Sequence, residues 1–96
     1  MESTWYLYIL LCKDNTLYTG ITTDVGKRLE AHRSGKGAKY TRGRGPLELV
    51  YTECCGNHSQ ALKRELQIKA LTREEKQRLI AASGGDENVS KDGKQP

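Results

Sequence analysis

Three groups of side chains in this sequence have types and spacings that could do chemistry: a glutamate among apolar helix positions, an arginine and a histidine one turn apart, and tyrosines on strands. Glu65 lies in Ser59-Gln60-Ala61-Leu62-Lys63-Arg64-Glu65-Leu66-Gln67-Ile68-Lys69. At about 100° per residue, Ala61 and Ile68 fall to one side of it and Leu62 and Leu66 to the other. A carboxylate placed mid-way across an apolar face is costly unless a metal, an ion pair or a water-filled cleft compensates its charge. Lys69, at i+4, could supply the ion pair. Asp24, Arg28 and His32 follow at i, i+4 and i+8, so Arg28 and His32 could address one ligand. The guanidinium fork suits phosphate, and a neutral imidazole can accept a proton near physiological pH. The plainer reading of that stripe is an Asp24–Arg28 surface pair beside an amphipathic histidine. Tyr6 and Tyr8 lie two apart, and Tyr18 precedes Gly20. Strand tyrosines usually pack, but a glycine inside a strand marks a close approach of ligand or backbone.

The elements that must position these residues can be read from pattern and punctuation. Residues 4–12 are dense in aromatic and aliphatic side chains, Lys13-Asp14-Asn15-Thr16 has turn chemistry, and Leu17–Thr22 is again β-prone, which predicts a hairpin. Thr23 or Asp24 can cap a helix carrying Val25, Leu29 and Ala31 that ends at Gly35. From Gly35 to Pro46, glycines and basic residues surround the single aromatic Tyr40, so this stretch reads as a basic loop. Leu47–Glu53 alternates as a third strand. Ser59 opens a helix to about Ala70, and Thr72-Arg73-Glu74-Glu75 is a capping box for a last helix to about Ala82. The expectation is an α+β domain over 4–82, a three-stranded antiparallel sheet flanked by helices in the order β-β-α-β-α-α. Residues 83–96 are too polar to repay the entropy of ordering and should form a disordered tail.

At 96 residues there is room for one domain. The net charge of +4 is unevenly spread, with basic segments at 24–44 and 63–82 and an excess of acids elsewhere. Such a surface attracts polyanions, nucleic acid first among them, although it could also serve solubility alone. The cysteines Cys12, Cys54 and Cys55 are odd in number and lack C-x-x-C spacing, which points to a reducing, cytoplasmic setting. Adjacent Cys54 and Cys55 with His58 make a poor zinc set. The apolar run Trp5–Cys12 is too short to span a bilayer, so no membrane association is expected.

In order, Tyr6-Leu7-Tyr8, Tyr18-Thr19-Gly20, Arg28 ten residues after Tyr18, His32 one turn later and the segment around Glu65 resemble the GIY-YIG nuclease superfamily. Among its members, the basic run 35–46 is similar to that of the small stand-alone bacterial proteins. The chain departs from the pattern at Tyr6, where the family has glycine, and at Thr19, where an aliphatic residue is usual. The resemblance implies a GIY-YIG endonuclease-like fold hydrolysing phosphodiester bonds in DNA, with RNA a second candidate, at low sequence specificity and in a repair or processing role. It implies Tyr8, Tyr18, Arg28 and His32 as catalytic residues and Glu65 as ligand of a single Mg2+ or Mn2+. It further implies Lys27, Lys36, Lys39, Tyr40, Arg42 and Arg44 as the nucleic-acid-binding set, Gly20 as the motif glycine, and a monomer. The alternative is a non-catalytic nucleic-acid-binding module, or a basic face that docks a protein. The resemblance also makes a geometric demand. Tyr8 and Tyr18 must share one face of the hairpin, which a two-residue turn forbids and a three- or five-residue loop allows.

Overall fold

The computed structural model describes residues 3–36 and 45–84. Its elements are β1 (Trp5–Leu11), β2 (Leu17–Thr22), α1 (Val25–Arg33), β3 (Glu48–Gly56), α2 (His58–Lys69) and α3 (Arg73–Gly84). The strands form one antiparallel sheet in the order β2-β1-β3, so the fold is α+β, as expected from the sequence. β1 is central, and Leu7, Ile9 and Leu10 on it are fully buried.

The hairpin meets the demand on its loop. Leu11 opposes Leu17, leaving Cys12–Thr16 as a five-residue connection. The Cys12 N–H donates to the Thr16 carbonyl at 2.9 Å and the Asn15 N–H to the Cys12 carbonyl at 2.8 Å. Asn15 takes the left-handed conformation, φ 70°, which asparagine tolerates better than most residues. In this register Tyr8 faces Gly20 and Leu10 faces Tyr18, so both motif tyrosines lie on one face.

Each face of the sheet has its own core. Tyr8, Leu10, Cys12 and Leu47 pack with Tyr18, Leu29 and Leu49 on the α1 side. Leu7, Ile9 and Ile68 pack with Ile21, Val50, Tyr51 and Leu79 among others on the α2 and α3 side. A register shift between Ile9 and Leu10 against β3 puts the consecutive residues Val50 and Tyr51 into that second cluster, as a β-bulge does.

The helix ends follow local chemistry. The Asp24 side chain accepts from the Lys27 N–H at the start of α1, and Gly35 at φ 83° follows its end. Helix α2 begins at His58, one residue before the predicted Ser59, because Asn57 caps it reciprocally with Gln60. β3 correspondingly runs past Glu53 to Gly56. The predicted capping box of α3 is present, with Thr72 and Glu75 exchanging bonds of 2.8 and 3.1 Å, and the helix continues to Gly84. Residues 83 and 84, expected at the start of a disordered tail, belong instead to α3, while the rest of that expected tail, 85–96, and residues 37–44 of the expected basic loop lie outside the described residues.

Candidate active site

The α1 face of the hairpin holds a polar cluster centred on the Tyr8 hydroxyl. Tyr8 rises from the middle of β1 and His32 descends from the last turn of α1, each only 2% exposed, and the Tyr8 hydroxyl lies 2.8 Å from His32 Nε2. One turn earlier, Arg28 donates from Nε to the same hydroxyl at 3.4 Å. The half-buried Tyr18 completes the group, its ring centre 6.3 Å from that of Tyr8 and 5.4 Å from the imidazole. Arg28 therefore bonds to a tyrosine, while Asp24, its alternative partner in the sequence reading, is used as the helix cap.

Gly20 explains how Tyr8 fits. A Cβ added there would lie 2.5 Å from the Tyr8 hydroxyl oxygen and 2.7 Å from Cζ. The phenol thus lies across the backbone of β2 at its free edge, the close approach that a strand glycine signals.

The electrostatics of the cluster follow from burial and one guanidinium. Burial lowers the pKa of His32 from its ordinary value, and the charge of Arg28 lowers it further, so the imidazole is neutral at neutral pH and can accept the Tyr8 proton. Burial raises the pKa of Tyr8 despite the bond from Arg28, and Tyr18 and Glu65 add to the rise. Tyr8, Tyr18, Arg28 and His32 are thus brought together on the α1 side, whereas Glu65 belongs to α2 in the opposite layer. Arg28 is held more firmly protonated, chiefly by its bond to Tyr8.

Glu65 sits otherwise than the helical wheel suggested. Only Ala61 and Ile68 of α2 are buried, whereas Leu62 is 42% and Leu66 69% exposed. The face that packs is centred between Ala61, Ile68 and Arg64, the last bonded to Glu53 on β3. Glu65 therefore occupies the margin of the packed face and not its middle. Its side chain is 18% exposed, and its carboxylate pairs with Lys69 Nζ at 3.2 Å. Among the described residues no group of three or more His, Cys, Asp or Glu could hold a metal. The donor chemistry suits a hard divalent cation that takes one carboxylate and otherwise keeps water and substrate oxygens, a mode magnesium tolerates.

The profile of the GIY-YIG catalytic domain matches residues 4–78. The chain belongs to the GIY-YIG family. A UPF0213 protein of Haloquadratum walsbyi is 53% identical over 88 residues, 92% of this chain and 98% of that one. The UPF0213 protein YhbQ of Escherichia coli is 51% identical over 81 residues, 84% of this chain and 81% of its own. The solution structure of a UPF0213 protein from Bacillus halodurans matches with a TM-score of 0.59 at 47% identity, covering 96% of this chain and 99% of that one. A second solution structure, from E. faecalis, gives 0.56 at 40% identity, covering 85% and 91%. The similar proteins are small single-domain proteins of both bacteria and archaea, wider than the bacterial group expected from the sequence.

In this GIY-YIG chain Lys27 and Lys36 are exposed, on α1 and just after it. Lys39, Tyr40, Arg42 and Arg44 lie outside the described residues. Among the described residues no helix is long and apolar enough to cross a membrane. A second polar cluster went unforeseen. On β3, Tyr51 donates to Glu53 at 2.6 Å, and Arg64 of α2 clasps the same carboxylate through Nε at 2.7 Å and an Nη at 3.2 Å. Tyr51 and Glu53, two apart, announce a shared strand face, but no local pattern announces the arginine from another element.

Proposed function

We propose that this protein is a divalent-metal-dependent endonuclease that hydrolyses phosphodiester bonds in DNA with little sequence preference. The observation that carries the reading is the meeting at one hydroxyl of side chains from two elements: Arg28 and His32 of α1 both bond to Tyr8 of β1.

In this reading Arg28 neutralises the charge that grows on the phosphate as water attacks. Tyr18, the more exposed of the two tyrosines, orients that water. The water loses a proton as its oxygen bonds to phosphorus and the bond to the departing oxygen breaks. The proton is taken up by the Tyr8–His32 pair, in which the hydroxyl hands its own proton to neutral Nε2. Glu65 would hold a magnesium or manganese ion, which as a Lewis acid supplies stabilisation of the departing oxygen. Lys27 and Lys36, exposed on and beside α1, bring charge to the same side of the sheet and would contact the backbone, a grip that carries no sequence information. The three cysteines are unpaired, which suits a reducing cytoplasm, and the single sheet with its own core suits a monomer.

Single-stranded, duplex and branched DNA and RNA, incubated with magnesium or manganese, test this directly against Glu65→Ala and Arg28→Ala. Cleavage by the wild type alone supports the endonuclease. Substrates bound yet left intact by all three proteins would make the domain a nucleic-acid-binding module.

A further inference from the structure

We propose that Lys69 is the resident counter-ion of Glu65, displaced when a divalent cation binds and then released to engage a substrate phosphate. The inference rests on the endonuclease reading and concerns how its metal site is filled. Three features support it. Lys69 Nζ lies 3.2 Å from Glu65 Oε2, one oxygen of the carboxylate that would hold the cation. The two partners are unequally anchored, the Glu65 side chain being 18% exposed and that of Lys69 52%. Lys69 is also the last residue of α2, beyond which no helical turn confines its stem.

An ammonium and a divalent cation cannot both sit against one carboxylate, since their mutual repulsion is strong at such range. The carboxylate is held on the margin of a packed helix, so the ammonium is the partner that moves. An exposed i,i+4 pair is weak enough to be broken, and a flexible four-carbon stem ending in a point charge suits a phosphate. In the free protein Lys69 thus competes with the metal. With metal bound, the same charge becomes a contact to the polyanion, so cation and nucleic acid favour each other's binding.

The test uses the whole chain without nucleic acid, titrated with Mn2+ while free ion is followed by electron paramagnetic resonance. Lys69→Ala and Lys69→Gln are each expected to bind Mn2+ about two- to fivefold more tightly than wild type, the range set by losing a competing exposed ion pair. Glu65→Gln should lose the binding. Unchanged or weaker Mn2+ affinity in both Lys69 variants overturns the inference, while Mn2+ binding that survives Glu65→Gln overturns instead the metal site of the endonuclease. No binding by any of the proteins overturns both. The phosphate contact is read from the salt dependence of single-stranded oligonucleotide affinity. In Ca2+ the Lys69→Ala slope should fall by about one relative to wild type, and in EDTA the slopes should coincide. Equal slopes in Ca2+ would remove the phosphate contact.

Discussion

Two clusters on this sheet contain a tyrosine and an arginine, and they differ in how their charges are matched. On β3, Arg64 meets Glu53 through two nitrogens, Tyr51 donates to the same carboxylate and Gln67 accepts from a third nitrogen of Arg64. Burial alone would raise the pKa of Glu53, but the bonds and charge of Arg64 and the bond from Tyr51 outweigh it and lower the value. Burial and the bond to Glu53 push Tyr51 up to about 12. On the hairpin, Arg28 donates to a neutral hydroxyl at 3.4 Å, and the carboxylate of Glu65 on α2 pairs with a lysine that is half in water. The first cluster is electrostatically closed and the second is open. A closed cluster fastens elements together, whereas an open one keeps positive charge available for an incoming anion.

The largest expected effect breaks the open cluster. Arg28→Ala should lower cleavage about 10^2- to 10^3-fold, as the loss of one charge-stabilising donor does, with little change in melting temperature. Initial rates at saturating substrate, set beside thermal melts, would separate the two quantities. A loss of stability in step with the loss of rate would show Arg28 to be a fastener like Arg64.

Gly20→Ala comes next, because it acts on both quantities at once. The added methyl meets a phenol that is 2% exposed and bonded at its hydroxyl, so the ring must move with its partners. Overpacking of this kind costs about 1–3 kcal/mol. Cleavage should fall further than that loss explains, because Tyr8 carries both His32 and Arg28. A crystal structure of the variant with Tyr8 unmoved would disprove the packing argument.

This glycine also shows what the sequence made legible. Gly20, Tyr8 and Tyr18 were readable because a strand's period of two fixes which residues share a face once the loop length is known. His32 and Arg28 were readable because i and i+4 positions share a helix stripe. Such rules report neighbours within an element or across one turn. They located the edges of Glu65's helix face poorly, since Leu62 and Leu66 look like core on a wheel but face outward, while Arg64 lies toward β3 and bonds to Glu53. The place of Arg64 in the Tyr51–Glu53–Arg64 cluster was invisible for the same reason, as Glu53 and Arg64 lie eleven residues apart on separate elements. The role proposed for each side chain of the site came from family resemblance more than from pattern.

Breaking the closed cluster should reverse the first result. Arg64→Ala leaves Glu53 half-buried without its cation and should cost about 1–2 kcal/mol, discounted because the side chains are 34% and 26% exposed. Urea unfolding would show the loss, and cleavage by the folded fraction should be unaltered. A variant with full stability would mean that the clasp is weaker than its geometry suggests.

Acid separates the regions by pH window. His32 has a folded pKa below its ordinary 6.5, so the unfolded chain binds the proton first, and this contribution to stability fades as pH falls from about 6.5 through the depressed value. Glu53 has a folded pKa below its ordinary 4.5, so its contribution is present above that value and fades as pH falls through its own depressed value. Urea stability measured against pH should therefore fall in two steps, with His32→Gln removing the upper and Glu53→Gln the lower. Cleavage should follow only the upper step, because protonated His32 can no longer accept from Tyr8. An acid limb of the rate that persists in His32→Gln would assign proton uptake elsewhere.

The smallest effect is a gain. Thr19, in the middle position of the second motif triplet, opposes Ile9 and so shares the α2 face, where it is 3% exposed. Its hydroxyl is the buried side-chain oxygen without a hydrogen-bond partner among the described residues. Where the β3 cluster satisfies its polar atoms, this one is desolvated for no return, and an aliphatic side chain of the same shape removes the penalty. Thr19→Val should stabilise the domain by about 0.5–1 kcal/mol, raising its melting temperature by roughly 2–8 °C for a chain of this size. The site on the other face should keep its rate, because Thr19 points away from Tyr8. A lower melting temperature would show that the hydroxyl is paired in solution, with a buried water as its partner, and would move Thr19 from the unmatched groups of the molecule to the matched ones.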